Sequence, residues 1–505
     1  MSLKSSPVPS SVLSLHTYRY YPYELELAKR EIQALMPTAK SEKTPGGFKF
    51  EGQIDLQLAE RLSYFSSLTS GGQVHDTLQA KLERVNGAGV NRQSTRYSAH
   101  GLHEYKGKFN PQVVRAILNM FNMPRGAKVI DPFCGSGTSL LECSHLGMDA
   151  TGTDINPFAV FLANAKLQAA RTPADFIRSQ LVEVLSKYTS TRYSVSGADA
   201  ARNEYLSGWF DEATFRSIER LRTAIGTSHS ACQDTLLAIA SNLLRDYSLQ
   251  DPNDLRIRRR KSPLPQKSFK AAFEDAAMGF LTKLDNAQSV HKYPAGGSKA
   301  FLLDSRVLSK GAIGQTGKFD CALTSPPYAT ALPYIDTQRL SLVWLGLVPP
   351  SEILALESRL VGSREVRGES KKLWIDRLMS NADELPQRQA KYCQTLQKAL
   401  KSSDGFRRQA VPLLLYRYFS SMSQVYQSLR PLMKVRAPFA LIVGGNHTTL
   451  GGKRFDIDTP QHLAELAEAN GWVHSETIPL QTYQRYGYHM GNAVSSEGMV
   501  IVRAA

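Results

Sequence analysis

Residues 324–328 read Thr-Ser-Pro-Pro-Tyr, directly after the apolar run Phe319-Asp320-Cys321-Ala322-Leu323. The run suits a buried strand of a parallel sheet. Two prolines cannot continue a hydrogen-bonded ladder, so the chain must leave the sheet there. A serine hydroxyl and a tyrosine ring are then held on a stiff turn beyond the carboxyl end of a strand, where open α/β sheets bind their ligands. A small acceptor, a proline carbonyl and a stacking ring together suit a planar base with an exocyclic amine.

A second constellation lies nearly 200 residues earlier. Lys128-Val129-Ile130-Asp131-Pro132-Phe133-Cys134-Gly135-Ser136-Gly137-Thr138 runs from a short apolar strand into a glycine turn. An apolar helix with Leu140, Leu141, Cys143 and Leu146 follows, and Ala150–Asp154 reads as the next strand, ending on a carboxylate. Gly135 and Gly137 allow a tight turn and a close approach of backbone to ligand. An acid about 20 residues after the glycines is the usual partner of a ribose diol.

The stretch DPFCGSGT (Asp131–Thr138) together with TSPPY (Thr324–Tyr328) resembles the DNA amino-methyltransferases that use S-adenosylmethionine. The Ser-Pro-Pro-Tyr form resembles the N4-cytosine type; adenine N6 enzymes more often place Asp or Asn first. The likeness covers residues 97–170 and 300–347, and more loosely 410–503. It implies an α/β class I (Rossmann-like) methyltransferase fold, with a seven-stranded, mostly parallel sheet and long helical insertions. It implies cofactor contacts from Asp131, Pro132, Phe133, Gly135, Gly137, Thr138 and Asp154, with Ile155 against the adenine. Ser325, Pro326, Pro327 and Tyr328 would hold the flipped base. The segment His103–Gln112 is similar to the family segment that packs over the methionine end of the cofactor, which would bring Lys108, Phe109 and Pro111 near it. An aromatic before a helix is also a packing staple. Asp304 has two readings: by resemblance it lies beside the cofactor adenine, and by position it is a helix N-cap after a strand.

The chemistry follows from the residue types. The amine of cytosine is a poor nucleophile because its lone pair is delocalised into the ring. Ser325 Oγ and the Pro326 carbonyl could accept the two amine protons and localise that lone pair as the bond forms, an interaction that strengthens in the transition state. Tyr328 would stack on the base, worth roughly 1–3 kcal/mol, and the base must first leave the duplex. Methylation at cytosine C5 would need a cysteine nucleophile, usually after a proline, and the chain has no Pro-Cys pair. Cys134 and Cys321 read as small apolar fillers. The cysteines and histidines show no close-set ligand pattern, so no metal is expected. Asp320 reads as a structural or solvated carboxylate, and Asn156-Pro157 as the start of a helix.

Composition bounds these readings. The chain has 505 residues, 42% hydrophobic and 21% charged, as in an ordinary globular protein of more than one domain. No apolar stretch approaches a membrane span, the first residues lack the apolar block of a signal peptide, and five scattered cysteines suggest no disulfide framework. A cytoplasmic location is the default that follows. The net charge of +16 fits a polyanionic partner. Arg256, Arg258, Arg259, Arg260 and Lys261 cluster beside Pro263 and Pro265, which suits DNA phosphates or a solvated loop.

Along the chain, residues 1–95 read as a mostly helical amino-terminal appendage, loosely attached over 1–20, with helices from Pro22 and over Leu56–Phe65. Residues 96–170 form the cofactor-binding half and 171–297 a helical insertion for DNA contact. Residues 298–345 carry the catalytic strand, 346–430 a second helical insertion for target recognition, and 431–505 the rest of the sheet. The expected strands are Lys128–Asp131, Ala150–Asp154, Lys299–Leu303, Phe319–Thr324, Phe439–Val443, Trp472–Ile478 and Met499–Val502. Gly444-Gly445-Asn446-His447 reads as a turn or as a border of the target pocket, and Tyr483, Arg485, Tyr486 and His489 as a polar hairpin or a nucleic-acid contact. The resemblance implies duplex DNA as partner in restriction–modification or phage defence, with a cognate restriction endonuclease. The rivals are an adenine-N6 enzyme, a tRNA guanine-N2 methyltransferase with residues 1–95 as its RNA-binding part, and a non-catalytic binding protein, which would be expected to have lost one of the two motifs.

Overall fold

The computed structural model describes residues 10–85, 93–190, 200–254, 257–291, 297–314, 317–329, 334–364, 369–481 and 496–505. Arg256 and the patch from Tyr483 to His489 lie outside them.

The amino-terminal part departs from its reading as mostly helical. Strands β1 (Ser10–Leu15), β2 (Ser41–Thr44), β3 (Gly47–Glu51), β4 (Phe65–Ser70) and β5 (Gln73–Asp76) form an antiparallel sheet in the order β2-β3-β1-β4-β5. β1, expected to be loosely attached, is its central strand. The strands are rich in serine and threonine, yet Leu13 of β1, Phe48 and Phe50 of β3, and Phe65 and Leu68 of β4 are turned inward. That is enough for a sheet with one solvated face. The helix Pro22–Leu35 forms as expected, but Leu56–Glu60 is a short helix that gives way to β4. Helix Pro22–Leu35 packs on helix Pro111–Met120, and Arg30 pairs with Glu476 at 2.8 Å, so this part is joined to the rest.

The remainder is built on the expected seven strands: β6 (Lys128–Asp131), β7 (Asp149–Asp154), β8 (Lys299–Leu302), β9 (Cys321–Thr324), β10 (Pro438–Gly444), then, after the hairpin β11 (Asn446–Leu450) and β12 (Lys453–Ile457), β13 (Trp472–Gln481) and β14 (Ser496–Ala504). Their order is β13-β14-β10-β9-β6-β7-β8. β8, β7, β6, β9 and β10 run parallel, and β14 is antiparallel to both its neighbours. Their inner positions are Val129, Ile130, Cys321, Ala322, Leu323 and the fully buried β10. Such runs are buried on both faces, as parallel sheets require.

The chain goes outward from β6 to β7 and β8, then returns to place β9 on the other side of β6. The order therefore reverses between β6 and β9, and a crevice opens at their carboxyl ends. Both long inserts are helical, as expected. Among the described residues, six α-helices between Pro157 and Val290 lie between β7 and β8, and helix Tyr334–Trp344 with four more between Ile353 and Leu429 lies between the β9 turn and β10. No helix among the described residues is long and apolar enough to cross a membrane.

Candidate active site

A cavity of about 1020 Å3 lies over the carboxyl ends of β6, β7, β9 and β10. Ser325, Pro326, Pro327 and Tyr328 form one wall, and Phe133, Gly135 and Asp154 another. The two motifs, far apart in sequence, thus share one space.

The glycine turn is shaped by close approaches. Gly135 and Gly137 both have positive φ, at 48° and 77°. A Cβ on Gly137 would stand 2.7 Å from Ala163 Cβ, so only glycine lets the turn sit on helix Pro157–Arg171. A Cβ on Gly135 would point into the cavity, 3.3 Å from the Tyr105 ring, filling the cradle between them.

Asp154 ends β7 at the floor of the cavity. Its carboxylate accepts the Gly135 N–H at 3.0 Å and the Asn156 N–H at 2.9 Å. Burial outweighs those bonds and pushes its pKa up to about 6. A smaller side cavity joins Phe133, Asp154, Ile155 and Asp304 with Leu360 and Val361. Asp304 caps the turn at Ser305 by accepting the Arg306 N–H, and it also lines this cavity. Burial would raise its pKa, but its bonds to Arg306 hold it below the usual carboxylate range.

Other expected contacts stand behind the wall. The Asp131 carboxylate is buried and accepts Ser139 Oγ–H, Thr324 Oγ1–H at 2.7 Å and the Phe133 N–H at 3.0 Å. Burial pushes its pKa up to about 6. The Pro132 carbonyl accepts from Ser305 and Thr153, and Thr138 is buried in the first turn of its helix. These three residues shape the turn without lining the cavity. Lys108, Phe109 and Pro111 are corrected in the same way. Lys108 Nζ turns inward to the Thr95 and His100 carbonyls at 2.7 and 3.2 Å, and burial, with Arg96 nearby, lowers its pKa to about 7. Phe109 packs on the core, and Pro111 opens a helix capped by Asn110. Their neighbours Tyr105, Lys106 and Gly107 reach the cavity instead.

On the turn after β9, Ser325 Oγ donates to the Ile442 carbonyl of β10 at 3.3 Å. Its lone pairs are left to the cavity. Tyr328 OH donates to Glu497 of β14, which anchors the ring at the phenol end. Gly444, Gly445, Asn446 and His447 turn the chain from β10 into β11 and border the cavity. Asn156 caps helix Pro157–Arg171 as expected, and it also touches the cavity while binding Gln338 at 2.6 Å. Asp320 is structural, accepting the Lys128 N–H and the Lys434 ammonium.

The basic loop stands apart from the cavity. Arg258 pairs with Asp254 at 3.0 Å, Arg259 lies 4.6 Å over the Trp209 ring, Arg260 is half-buried and Lys261 is exposed. All five cysteines are buried, as fillers should be. Sequence spacing did not reveal His100, Glu142 and His145, whose ligand atoms gather within 4.8 Å. Glu142 also accepts from Tyr97 OH and pairs with Arg115 at 2.8 Å, so a guanidinium already supplies the cation there. Burial works to raise the Glu142 pKa, yet Arg115 and His145 hold it well below the usual range.

Residues 53–165 match the model of the N6/N4 DNA methylase family, described as DNA methylase. The chain is 43% identical over 89 residues to the type II methyltransferase M.MjaII of Methanocaldococcus jannaschii, covering 17% of this chain and 16% of that one. It is 25% identical over 296 residues to the type II methyltransferase M.MvaI of Kocuria varians, covering 54% and 63%. It therefore spans less than two thirds of the length of either relative. Among solved structures, TrmN from Thermus thermophilus aligns over 98% of this chain and 100% of its own, at 10% identity and a TM-score of 0.34. The family and sequence matches bear out the resemblance to DNA amino-methyltransferases.

Proposed function

From this likeness and the shared cavity, we propose that the protein is an S-adenosylmethionine-dependent DNA methyltransferase that modifies the N4 amine of an extruded cytosine. The observation that carries the reading is that Ser325 and Asp154 line one space. The cradle of Gly135 and Tyr105, the acceptor carboxylate of Asp154 and the side cavity at Phe133, Ile155 and Asp304 fit the glycine-turn ligand set of a nucleoside cofactor. Bound there, S-adenosylmethionine would supply an electrophilic methyl group on a sulfonium.

The residues of the chain do the rest. Asp154 would accept the ribose hydroxyls, and Phe133 and Ile155 would flank the adenine beside Asp304. Asp131 holds the glycine turn against β9. Ser325 Oγ, its own proton committed to Ile442, would accept a hydrogen bond from one N–H of the target amine, and the Pro326 carbonyl one from the other. These bonds would draw the amine lone pair out of conjugation; forming the N–CH3 bond would break the S–CH3 bond to leave a neutral thioether, and the surplus amine proton would pass to water. Tyr328 stacks on the base, with Glu497 fixing the ring. The helical insertions, with Arg258, Arg259, Arg260 and Lys261 on the first, contact the duplex, and the surplus of 16 positive charges strengthens the association. The reading suits restriction–modification.

Product identification tests it. The protein is incubated with S-adenosylmethionine and either mixed-sequence duplex DNA or tRNA, and each is digested to nucleosides for mass spectrometry. N4-methylcytosine in the DNA is expected. N6-methyladenine would keep the cofactor site and overturn the base assignment. A methylated guanine in tRNA alone would overturn the substrate.

A further inference from the structure

One wall of the large cavity comes from the second helical insertion, whose side chains have no individual role in the scheme above. Helix Phe406–Leu429 begins there, and Phe406, Arg407 and Arg408 of its first turn border the cavity. Phe406 is 77% exposed, the most exposed of the large apolar side chains described. Arg364 lies on the same wall, and Glu357 is the single acid there among the described residues. The apolar residues that share this wall, Leu360, Val361, Ala410, Val411 and Leu414, are half-buried or buried, so the exposed start of the helix presents one ring followed by two cations. An exposed protein-docking patch would spread over several apolar neighbours, whereas a single exposed ring next to arginines matches the alternation of base stack and phosphate in a duplex.

We propose that Phe406 is the wedge that enters the duplex where the target base has left, with Arg407 and Arg408 on the adjoining phosphates. The inference rests on the base-extrusion reading above. A base rotated into the cavity leaves a gap in the stack that would otherwise expose apolar faces. Apolar side chains inserted at such steps hold the opened duplex. The ring must stand at the mouth of the cavity that receives the base, and Phe406 does. Pro412, within the same helix, removes the amide that would have bonded the Arg408 carbonyl, so the first turn is less tightly bound to the helix behind it.

The test compares two duplexes carrying the site that the wild-type protein methylates: one fully paired, and one with an abasic position opposite the target base. Extruding an unpaired base requires less energy. Phe406→Ala is expected to slow transfer on the paired duplex by about tenfold or more, as loss of one stacking ring implies. On the abasic duplex the loss should stay within about threefold. Phe406→Trp should restore the paired rate, and cofactor affinity should be unchanged in both variants. Arg407→Gln and Arg408→Gln should each lower the slope of log affinity against log salt by about one. Equal losses on both duplexes, or no loss on either, would overturn the wedge, and unchanged salt slopes would remove the arginines from the phosphates. A wild-type protein that methylates no site in mixed-sequence duplex DNA, so that no such duplex can be chosen, would overturn the methyltransferase reading and the wedge with it.

Discussion

Thr324 donates its hydroxyl proton to Asp131 across 2.7 Å, joining the last residue of β9 to the last residue of β6. The bond ties the Ser-Pro-Pro-Tyr turn, which begins at the next residue, to the strand that feeds the glycine turn. Asp131→Ala would leave Ser139, Thr324 and the Phe133 N–H without their acceptor. The expected cost is about 1–3 kcal/mol in urea unfolding, with both cofactor affinity and transfer reduced. Thr324→Val should slow transfer while leaving cofactor affinity near wild type. An unchanged urea midpoint for Asp131→Ala would show that the carboxylate does not brace the two strands.

Cofactor affinity should depend on pH through Asp154. Its folded pKa is raised to about 6, so the group is ionised above that value and protonated below it. A ribose diol donates to the ionised form, so affinity should weaken as pH falls below about 6, by at most about tenfold per unit. Asp154→Asn should bind more weakly at neutral pH and lose this slope. Calorimetric titration between pH 5 and 8 checks it, and a flat wild-type profile would remove the carboxylate from the ribose.

Tyr328 separates two contributions. Tyr328→Ala removes ring and phenol, and transfer should fall by about tenfold or more with cofactor affinity intact. Tyr328→Phe keeps the stacking face and loses only the bond to Glu497, so its loss should be several times smaller. Single-turnover kinetics reads both. Equal losses would mean that the Glu497 bond, and not the stacking face, is what matters.

The buried Arg115–Glu142 pair should dominate acid sensitivity. Glu142→Gln leaves the guanidinium buried without its counter-charge, at an expected cost of about 3–5 kcal/mol. Because the folded pKa of Glu142 is depressed, its contribution is present above the ordinary carboxylate range and is lost as pH falls below it. Wild-type urea stability should therefore decline in acid, and the variant should decline less. Parallel profiles would assign the acid sensitivity to other groups.

The catalytic sheet was legible because parallel strands are buried on both faces, and Val129, Ile130, Ala322, Leu323 and the β10 residues read as unbroken apolar runs. The amino-terminal sheet was not, because Ser-Ser-Val-Leu-Ser-Leu and Phe-Ser-Ser-Leu-Thr-Ser look like loops until neighbouring strands bury Leu13, Phe65 and Leu68. Ser325–Tyr328, Phe133, Gly135 and Asp154 were legible as motifs. Glu497 and Phe406 carry no motif; only the fold brings Phe406 to the cavity and Glu497 to the Tyr328 phenol. Lys108 was misplaced because a lysine beside a motif gives no sign of turning inward, and only its contacts with Thr95 and His100 show it. The cluster at Glu142 was hidden because its partners come from three separate segments.

The position of β9 between β6 and β10 has a consequence for synthesis. Asp131 waits 193 residues for Thr324. Until β9 emerges, the strand that feeds the glycine turn presents an open edge, and closing so long a loop is slow. A nascent chain with an unpaired edge strand is prone to sticking to its neighbours. Fragments ending before β9 should therefore precipitate even though they contain the whole glycine motif, and useful truncations of this protein must keep residues 321–324.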